Sequence, residues 1–357
     1  MSTTLPADRP AFGFSVTPGP PAGVAAEAVE AEAMGFDRIG IWDSPALFRE
    51  PWVTLAAVAG ATRRIRLGTW VTNPVTRHPL VTASAAASLD ELAPGRTYLG
   101  IGSGGTGVMH AGRAASSLDD LERYVAAVRG LLEDGVAEVD GDRAVLPWAR
   151  RRIPVIVSAH GPRALRAAGR FGDGVIVGLG LTPEVVAASL ELIDAGAKEQ
   201  GRRVDDLEVW FTGFWFVDPE PGRARAAGAW AATSFASHLA RTGVEGKLVP
   251  PEHRGGIVEL GRRYDYTTHG AVPDAQKAAY AALARELGVL EYAERRFVFA
   301  GTPDEVEAQV RRAMSAGARR FDGAIDADLP EHRERIGAWA AHVLPRFARA
   351  TRPQTRA

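Results

Sequence analysis

The residues best suited to bind or transform a ligand follow apolar, strand-like runs of the sequence. Asp43 ends one such run, and residues 71–79 place Asn73 and Arg77 between two prolines directly after another. A carboxylate at the end of a barrel strand faces ligand more often than it serves structure. For residues 71–79 the alternative is a rigid turn in which Asn73 bonds its own backbone. These two segments are the first candidates for a ligand site.

A glycine-rich segment, Gly100–Gly105, matches the pattern G-x-G-x-x-G after a predicted strand. A dinucleotide site would also need a helix that opens at once and an acidic residue about 20 residues later. Residues 106–117 instead read as a Gly/Ala/Ser loop, and Asp119 is expected to open the next helix. Ile101 occupies the first glycine position of a nucleophile elbow, which argues against a serine hydrolase. We therefore expect glycines that let the backbone approach a flat or phosphorylated ligand.

A third candidate segment is 158–164, where Pro162 suits the first position of a helix. The exposed amides of that helix N-terminus, together with Arg163, would bind an anion. An ordinary helix cap with a surface arginine is the alternative, and His160 alone does not decide between the two.

These segments need elements that bring them together, and the sequence predicts eight βα units. Eight short apolar runs alternate with helical patterns, which is typical of parallel strands joined by helices. The expected strands are Phe12–Thr17, Arg38–Trp42, Ile65–Val71, Thr97–Ile101, Pro154–Ser158, Val175–Gly178, Leu207–Val217 and Arg320–Ile325. No linker separates two halves, so a (β/α)8 TIM barrel is favoured over an open doubly wound sheet with a second domain. We expect one domain over 1–357, with about 218–300 inserted between strands seven and eight, over the barrel mouth.

The composition of the chain limits the classes of binding partner that we expect. The chain has 42 basic and 43 acidic residues, so no broad positive field attracts nucleic acid or an anionic membrane. No segment offers the apolar length of a membrane span, and the start of the chain lacks the pattern of a signal peptide. Absence of cysteine fits the cytoplasm, and without cysteine or an H-x-x-x-H pair no metal site is predicted.

Taken together, these motifs resemble those of the luciferase-like flavin and deazaflavin oxidoreductases. The resemblance rests on the order and spacing of five groups: Asp43; Arg64–Gly68 leading to Val71–Pro74 and Arg77–Pro79; Gly95-Arg96; Gly161-Pro162; and Gly172–Gly174. It covers about 12–178 well, 300–347 moderately and the insertion poorly. The T-N-P and R-H-P pair is most similar to the branch that uses coenzyme F420, which includes methylenetetrahydromethanopterin reductases. The branch that uses FMN is the neighbouring alternative.

The resemblance implies a cofactor ring at the C-terminal mouth of the barrel, against a bulge after strand three with a cis peptide bond, here Trp70–Val71. It implies cofactor contacts from the ends of several strands: Asp43, Trp70, Val71, Asn73, Gly102, Ser103, Thr106, Ala159, His160, Gly161, Pro162, Arg163 and Gly178.

The resemblance also leaves the proton donor open. Ser44 and Ser103 stand where sugar-phosphate dehydrogenases of the family carry a histidine and a glutamate as acid and base. Candidates for the missing group are His78, His110, Tyr266 and His269.

Three functions remain for this sequence. The first is hydride transfer from reduced F420 to a small acceptor with a C=N or C=C bond, in which the protein orients the reactants and excludes water. The second is an FMN-dependent monooxygenase. The third, motivated by the two serines, is a cofactor-binding barrel without catalysis. A small-molecule substrate and a homodimer are expected in the first two.

Overall fold

Strands and helices alternate along most of the computed structural model, which describes residues 9–241, 243–266, 272–325 and 329–348. Its strands are β1 (Ala11–Val16), β2 (Arg38–Ile41), β3 (Arg66–Thr69), β4 (Thr97–Ile101), β5 (Val136–Val139), β6 (Asp142–Val145), β7 (Val155–Ala159), β8 (Gly174–Val177), β9 (Glu208–Val217), β10 (Val298–Gly301) and β11 (Arg320–Ile325).

Most of the helices start with proline in the first turn, where its missing N–H costs no hydrogen bond and its fixed φ suits the helix. The helices are α1 (Pro21–Met34), α2 (Pro51–Ala61), α3 (Pro79–Leu92), α4 (Thr106–His110), α5 (Leu118–Glu133), α6 (Pro162–Phe171), α7 (Pro183–Lys198), α8 (Arg223–Ala240), α9 (Pro251–Arg263), α10 (Asp274–Glu286), α11 (Leu290–Phe297), α12 (Pro303–Ser315), α13 (Leu329–His342) and α14 (Leu344–Phe347). No helix among the described residues has the length and apolar character needed to cross a membrane.

Eight parallel strands close into a barrel in the order β11-β1-β2-β3-β4-β7-β8-β9, with β9 pairing back onto β11. Each of the eight predicted strands is present, so the TIM-barrel prediction is confirmed and the open doubly wound alternative is wrong. Parallel strands carry their C-terminal ends to one rim of the barrel, and this brings the candidate segments together.

Three elements differ from the sequence expectation. Residues 106–110, expected as loop, form the short helix α4. The hairpin β5–β6 was missed, although Asp140 and Gly141 at its turn both have positive φ, as a tight hairpin turn requires. Strand β10 was also missed, and it pairs with residues 214–217 of β9, beyond the part of β9 that pairs with β8 and β11.

Four helices stand between the seventh barrel strand, β9, and β10. Helices α8 to α11 follow barrel strand β9 and precede β10, and α12 then leads to the last barrel strand, β11. Helix α8 packs against α9, α10 and α11 and against β9 and β10, which ties the insertion to the barrel.

A buried arginine fills the centre of the barrel. Arg38 and Asp322, both without solvent exposure, are joined by a hydrogen bond of 2.5 Å, and the Arg38 guanidinium lies 3.4 Å from the ring centre of Trp70 and 4.2 Å from that of Trp210. Tyr98 accepts a second hydrogen bond from Arg38 at 2.8 Å. A buried charge persists only where partners replace water, and here Asp322 and Tyr98 bind the two terminal nitrogens of the guanidinium while two tryptophan rings cover it.

Asp322 is the acceptor on which this arrangement depends. It accepts hydrogen bonds from Ser15 Oγ at 2.9 Å and Thr212 Oγ1 at 2.8 Å, as well as from Arg38. Strand β2 makes room through Gly40, where a Cβ would lie 2.6 Å from Cβ of Trp70. These hydrogen bonds thus link five strands, β1, β2, β4, β9 and β11, and the guanidinium packs on the ring of Trp70.

Asp322→Ala should therefore destabilise the protein strongly, by about 3–5 kcal/mol, because it leaves the Arg38 charge buried and unpaired. The free energy of unfolding in urea measures this loss. The double variant Arg38→Met/Asp322→Leu removes both charges and should lose less than the single variant. A double variant less stable than Asp322→Ala would contradict this account of the interior.

Candidate functional site

A cleft of about 530 Å³ opens at the C-terminal rim of the barrel, within the size range of small-molecule sites. Its walls come from the segments after β2, β3 and β4, from the end of β7, and from helix α8 of the insertion. It is lined by Trp42, Asp43, Ser44, Trp70, Val71, Thr72, Asn73, Gly102, Ser103, Gly104, Gly105, Thr106, Gly107, Ala115, Ser158, His160, His238 and Arg241. The structure therefore brings together eight of the predicted cofactor-binding residues.

A second, larger cavity of about 670 Å³ lies beside β10, between residues such as Leu181, Phe299 and Arg312. It contains none of the residues that the sequence singled out. The cleft at the rim is the candidate site because it combines strand ends, glycine backbone and polar side chains.

The floor of the cleft begins at the end of β3. The peptide bond between Trp70 and Val71 is cis, as the resemblance implied. Thr72 returns to pair with β4: its N–H donates to Gly100 O and its carbonyl accepts from Gly102 N, both at 3.0 Å. This local bulge leaves Val71 half-buried in the cleft lining, beside Gly102.

Asp43 lines the cleft, but its carboxylate is bound to protein groups. Thr72 Oγ1 donates to Asp43 Oδ2 at 2.6 Å, and Arg77 Nε lies 3.4 Å from the same oxygen. Arg77 also pairs with Glu50 at 2.5 Å, and although burial opposes its charge, the two carboxylates raise the pKa of Arg77. The Asp43 side chain has no solvent exposure. Its carboxylate thus holds together the segments that follow β2 and β3.

Asn73 organises its own loop. Its Oδ1 accepts hydrogen bonds from the backbone N–H groups of Val75 and Thr76, both at 2.9 Å, and from Thr76 Oγ1 at 3.1 Å. This is the rigid turn that the sequence left as an alternative. Because Asn73 also lines the cleft, the turn and a ligand contact are compatible.

The glycine-rich wall carries serine hydroxyls rather than acids or bases. Ser44 Oγ and Thr106 Oγ1 are 2.7 Å apart, and the carbonyl of Ser103 accepts from the N–H of Ser116 at 2.8 Å. Hydroxyls donate and accept hydrogen bonds but keep their protons at neutral pH. This wall can orient a ligand, and the proton for any reduction must come from elsewhere.

His160 is an exposed residue of the cleft lining, and its ring lies over the glycine that follows β8. A Cβ on Gly178 would lie 2.2 Å from Cε1 of His160, so only glycine leaves room for the ring. Its Nε2 lies 3.1 Å from Ser158 Oγ. The ring faces the cleft, but desolvation by the surrounding protein and the nearby charges of Lys247 and Arg241 lower the pKa of His160 to about 4.

The other five predicted cofactor residues are not part of the cleft lining. Ala159 is buried in β7, Gly178 supports His160, and Gly161 and Pro162 cap and start helix α6, with Arg163 exposed beside them. A Cβ added at Gly161 would lie 3.6 Å from Cε of Lys247. This helix N-terminus therefore lies near a cation that the sequence analysis did not single out.

The predicted proton donors that the structure describes each contact a backbone group. His78 is exposed and caps α3 through its Nδ1, 3.2 Å from the N–H of Leu80. The Nδ1 of His110 lies 2.8 Å from the carbonyl of Thr106. Tyr266 donates to the carbonyl of Ser237 at 2.6 Å, and burial raises its pKa. His269 lies outside the described residues.

Two functional candidates were missed by sequence reasoning: His238 and Arg241, both from the end of α8. They belong to no motif, and the resemblance covers the insertion poorly. Their approach to the cleft depends on how the insertion folds back over the barrel, which no local sequence signal states.

The chain matches one family profile, and it is similar to several known proteins in sequence and in fold. The sequence profile of the family described as luciferase-like monooxygenase matches residues 8–320. The chain is 28% identical over 321 residues to a 5,10-methylenetetrahydromethanopterin reductase of Methanolobus tindarius, covering 87% of this chain and 92% of the relative. It is 33% identical over 249 residues to an F420-dependent glucose-6-phosphate dehydrogenase of Beutenbergia cavernae, covering 63% and 73%. The coenzyme F420-dependent tetrahydromethanopterin reductase structure from Methanopyrus kandleri has the same fold, with a TM-score of 0.73 at 23% identity over 95% of this chain and 100% of that chain.

His160 should stay neutral through the physiological range, because its pKa is lowered to about 4. Nitrogen NMR of protein labelled in histidine, assigned with His160→Gln, should show no protonation of this ring as the pH falls from about 8 to 5. A His160 titration midpoint near 6.5 would contradict the described environment.

Proposed function

We propose, since this chain belongs to the luciferase-like monooxygenase family, that it is an oxidoreductase that uses coenzyme F420. Two of the relatives that it matches are named as a 5,10-methylenetetrahydromethanopterin reductase and an F420-dependent glucose-6-phosphate dehydrogenase. The observation that carries the proposal is the cleft at the barrel rim, where the Trp70–Val71 bulge, the glycine-rich loop and His160 meet. Membership in an enzyme family argues against the non-catalytic barrel.

The residues of the cleft floor fit a flat ring. A Cβ at Gly102 would lie 3.2 Å from Cγ2 of Val71 and 3.3 Å from Cβ of Ser158, so glycine keeps the floor low between these two side chains. Trp70, beneath Val71, is held by Arg38. Val71 and Gly102 would therefore support one face of a deazaflavin ring.

The polar part of the cofactor would extend toward helix α6. The α6 N-terminus has no side-chain cap, and Gly161 brings its backbone close to Lys247. Unsatisfied N–H groups and the helix dipole favour anions at such a position. Gly161, Pro162 and Arg163 are the residues we assign to the phosphate-bearing side chain of F420.

When bound in its reduced form, F420 supplies a hydride, and a small acceptor with a C=N or C=C bond takes up that hydride at one atom and a proton at the other. The chain's own contribution is to hold the reactants, exclude water and provide oriented hydrogen bonds. Ser44, Thr106 and Asn73 are placed for orientation. His160, whose pKa is lowered to about 4, can accept or donate a hydrogen bond at neutral pH without adding charge.

The family description as monooxygenases favours one alternative, an enzyme that binds FMN in the same cleft. Deazaflavin lacks the N5 nitrogen and reacts poorly with oxygen, so the identity of the cofactor separates the two functions.

Titration of the protein with F420 and, separately, with FMN distinguishes them. We expect F420 to bind at least about tenfold more tightly, followed through quenching of tryptophan fluorescence. Gly102→Val, which fills the cleft floor, should weaken F420 binding by at least about tenfold. Gly255→Val is the matched control, because a Cβ at this exposed position in α9 meets nothing within 4 Å.

Preference for FMN would move the assignment to the monooxygenase. Binding of neither cofactor would contradict the proposed use of the cleft. If F420 binds, reduced F420 should be oxidised under anaerobic conditions by members of a panel of imines and enones, and the Gly102→Val variant should slow this reaction.

We also propose that the chain forms a homodimer in the cytoplasm. Its neighbouring helices α2 and α3 expose Val53 at 60% and Val81 at 54%, which are candidates for a covered apolar surface. Light scattering after gel filtration should give twice the chain mass, and Val53→Glu/Val81→Glu should shift it to the monomer. A monomeric wild-type protein would overturn this proposal.

A further inference from the structure

The insertion brings to the cleft an arginine, a cationic side chain of a kind that the barrel does not supply to the described lining. Arg241 follows the last residue of α8, lines the cleft and is exposed to it. The guanidinium carbon lies 4.9 Å from the centre of the Tyr266 ring. The Tyr266 hydroxyl is fixed on the carbonyl of Ser237, and the ring also stacks on His238 at 5.8 Å. An aromatic face and a fixed hydroxyl thus position this guanidinium.

Arg241 has no carboxylate partner among the residues that the structure describes. The ion pairs found within 9–241, 243–266, 272–325 and 329–348 include most of the partly buried arginines of the chain but not Arg241. Asp43, the one acid in the described cleft lining, is already bound to Thr72 and Arg77. A guanidinium offers five N–H donors, and no carboxylate among the described residues pairs with those of Arg241 in the cleft lining.

The charges around this wall favour an anion. Beside desolvation, the charges of Lys247 and Arg241 both lower the pKa of His160, so their positive potential reaches that part of the cleft lining. Serine hydroxyls and glycine N–H groups line the opposite side and carry no formal charge. A carboxylate or phosphate group is the ligand chemistry that pairs with a guanidinium in two parallel hydrogen bonds.

We propose that Arg241 binds an anionic group of the hydride acceptor, so that the substrate is a carboxylic acid or phosphate ester whose C=N or C=C bond lies over the cleft floor. This inference rests on the proposed function and adds a substrate class to it. Arg241 is a specificity-determining residue, because it reaches the cleft from the insertion, whereas the floor and the α6 N-terminus belong to the barrel. The side chain of F420 has its own anion-binding candidates in Gly161 and Lys247.

Binding of two small probes tests this assignment. Cinnamate and cinnamamide share size and a conjugated C=C bond, but only cinnamate is an anion. Calorimetric titration into protein saturated with oxidised F420 should show cinnamate binding at least about tenfold more tightly than the amide. Arg241→Met should lower cinnamate affinity by about tenfold or more and leave that of cinnamamide within about twofold, while Arg241→Lys should retain part of the preference.

Arg262→Met is the matched control. It removes the same charge from the same insertion, but Arg262 is 71% exposed on α9 and pairs with Glu259. It should leave both affinities unchanged. Thermal unfolding of each variant establishes that loss of binding is not loss of fold.

Several results would overturn the proposal. One is equal affinity of the wild type for the two probes. Another is the absence of cinnamate binding up to about 20 mM, because a paired ion in a cleft should bind more tightly than that. A third is a preference for cinnamate that persists in Arg241→Met. A fourth is weaker binding of F420 to Arg241→Met with unchanged binding of a deazaflavin that lacks the phosphate side chain. That result would assign Arg241 to the cofactor instead.

The same titrations without cofactor separate this proposal from the proposed function. Failure of F420 to bind, together with an Arg241-dependent preference for cinnamate, would reject the cofactor and retain the anion site. Binding of F420 without any such preference would retain the cofactor and reject the anionic acceptor.

Discussion

The structure depends on the arginine enclosed by the barrel. Arg38 comes from β2, and its neutralising carboxylate comes from β11, 284 residues later in the chain. A charge without solvent exposure requires these partners together, so closing the barrel and pairing this ion are one event. Trp70, which packs on the guanidinium, is directly followed by Val71 at the cleft floor. The position of the candidate site is thereby set from the centre of the barrel outward.

The cleft has two origins in the chain. Its floor and the glycine-rich wall come from the ends of barrel strands, held by backbone pairing of Thr72 with Gly100 and Gly102 and by the buried carboxylate of Asp43. The outer wall comes from α8. Rigid strand ends can hold a cofactor in one orientation, whereas an inserted segment can change its side chains without altering the barrel. Under the proposed function, this division would let one barrel keep its cofactor and change its acceptor.

The sequence was sufficient for the barrel because each strand is a short apolar run bounded by helix and turn residues. It also predicted that Asp43, Asn73 and Gly102 lie near one another, since the carboxyl ends of parallel strands must share one rim of the barrel. It could not give the Arg38–Asp322 pair or the approach of Arg241 to Tyr266. Both contacts join residues through tertiary packing, and neither lies in a local pattern. The sequence likewise could not show why position 178 is glycine. The requirement comes from the ring of His160, which follows a different strand and occupies the space of a Cβ at Gly178.

The central claim is that the cleft at the barrel rim is the cofactor site, and a crystal structure of the protein with bound F420 tests it most directly. The account predicts the deazaflavin ring against Val71 and Gly102, in van der Waals contact with both, and its phosphate near Gly161. A ring bound in the cavity beside Leu181 and Phe299, or at any position away from Val71, would contradict it.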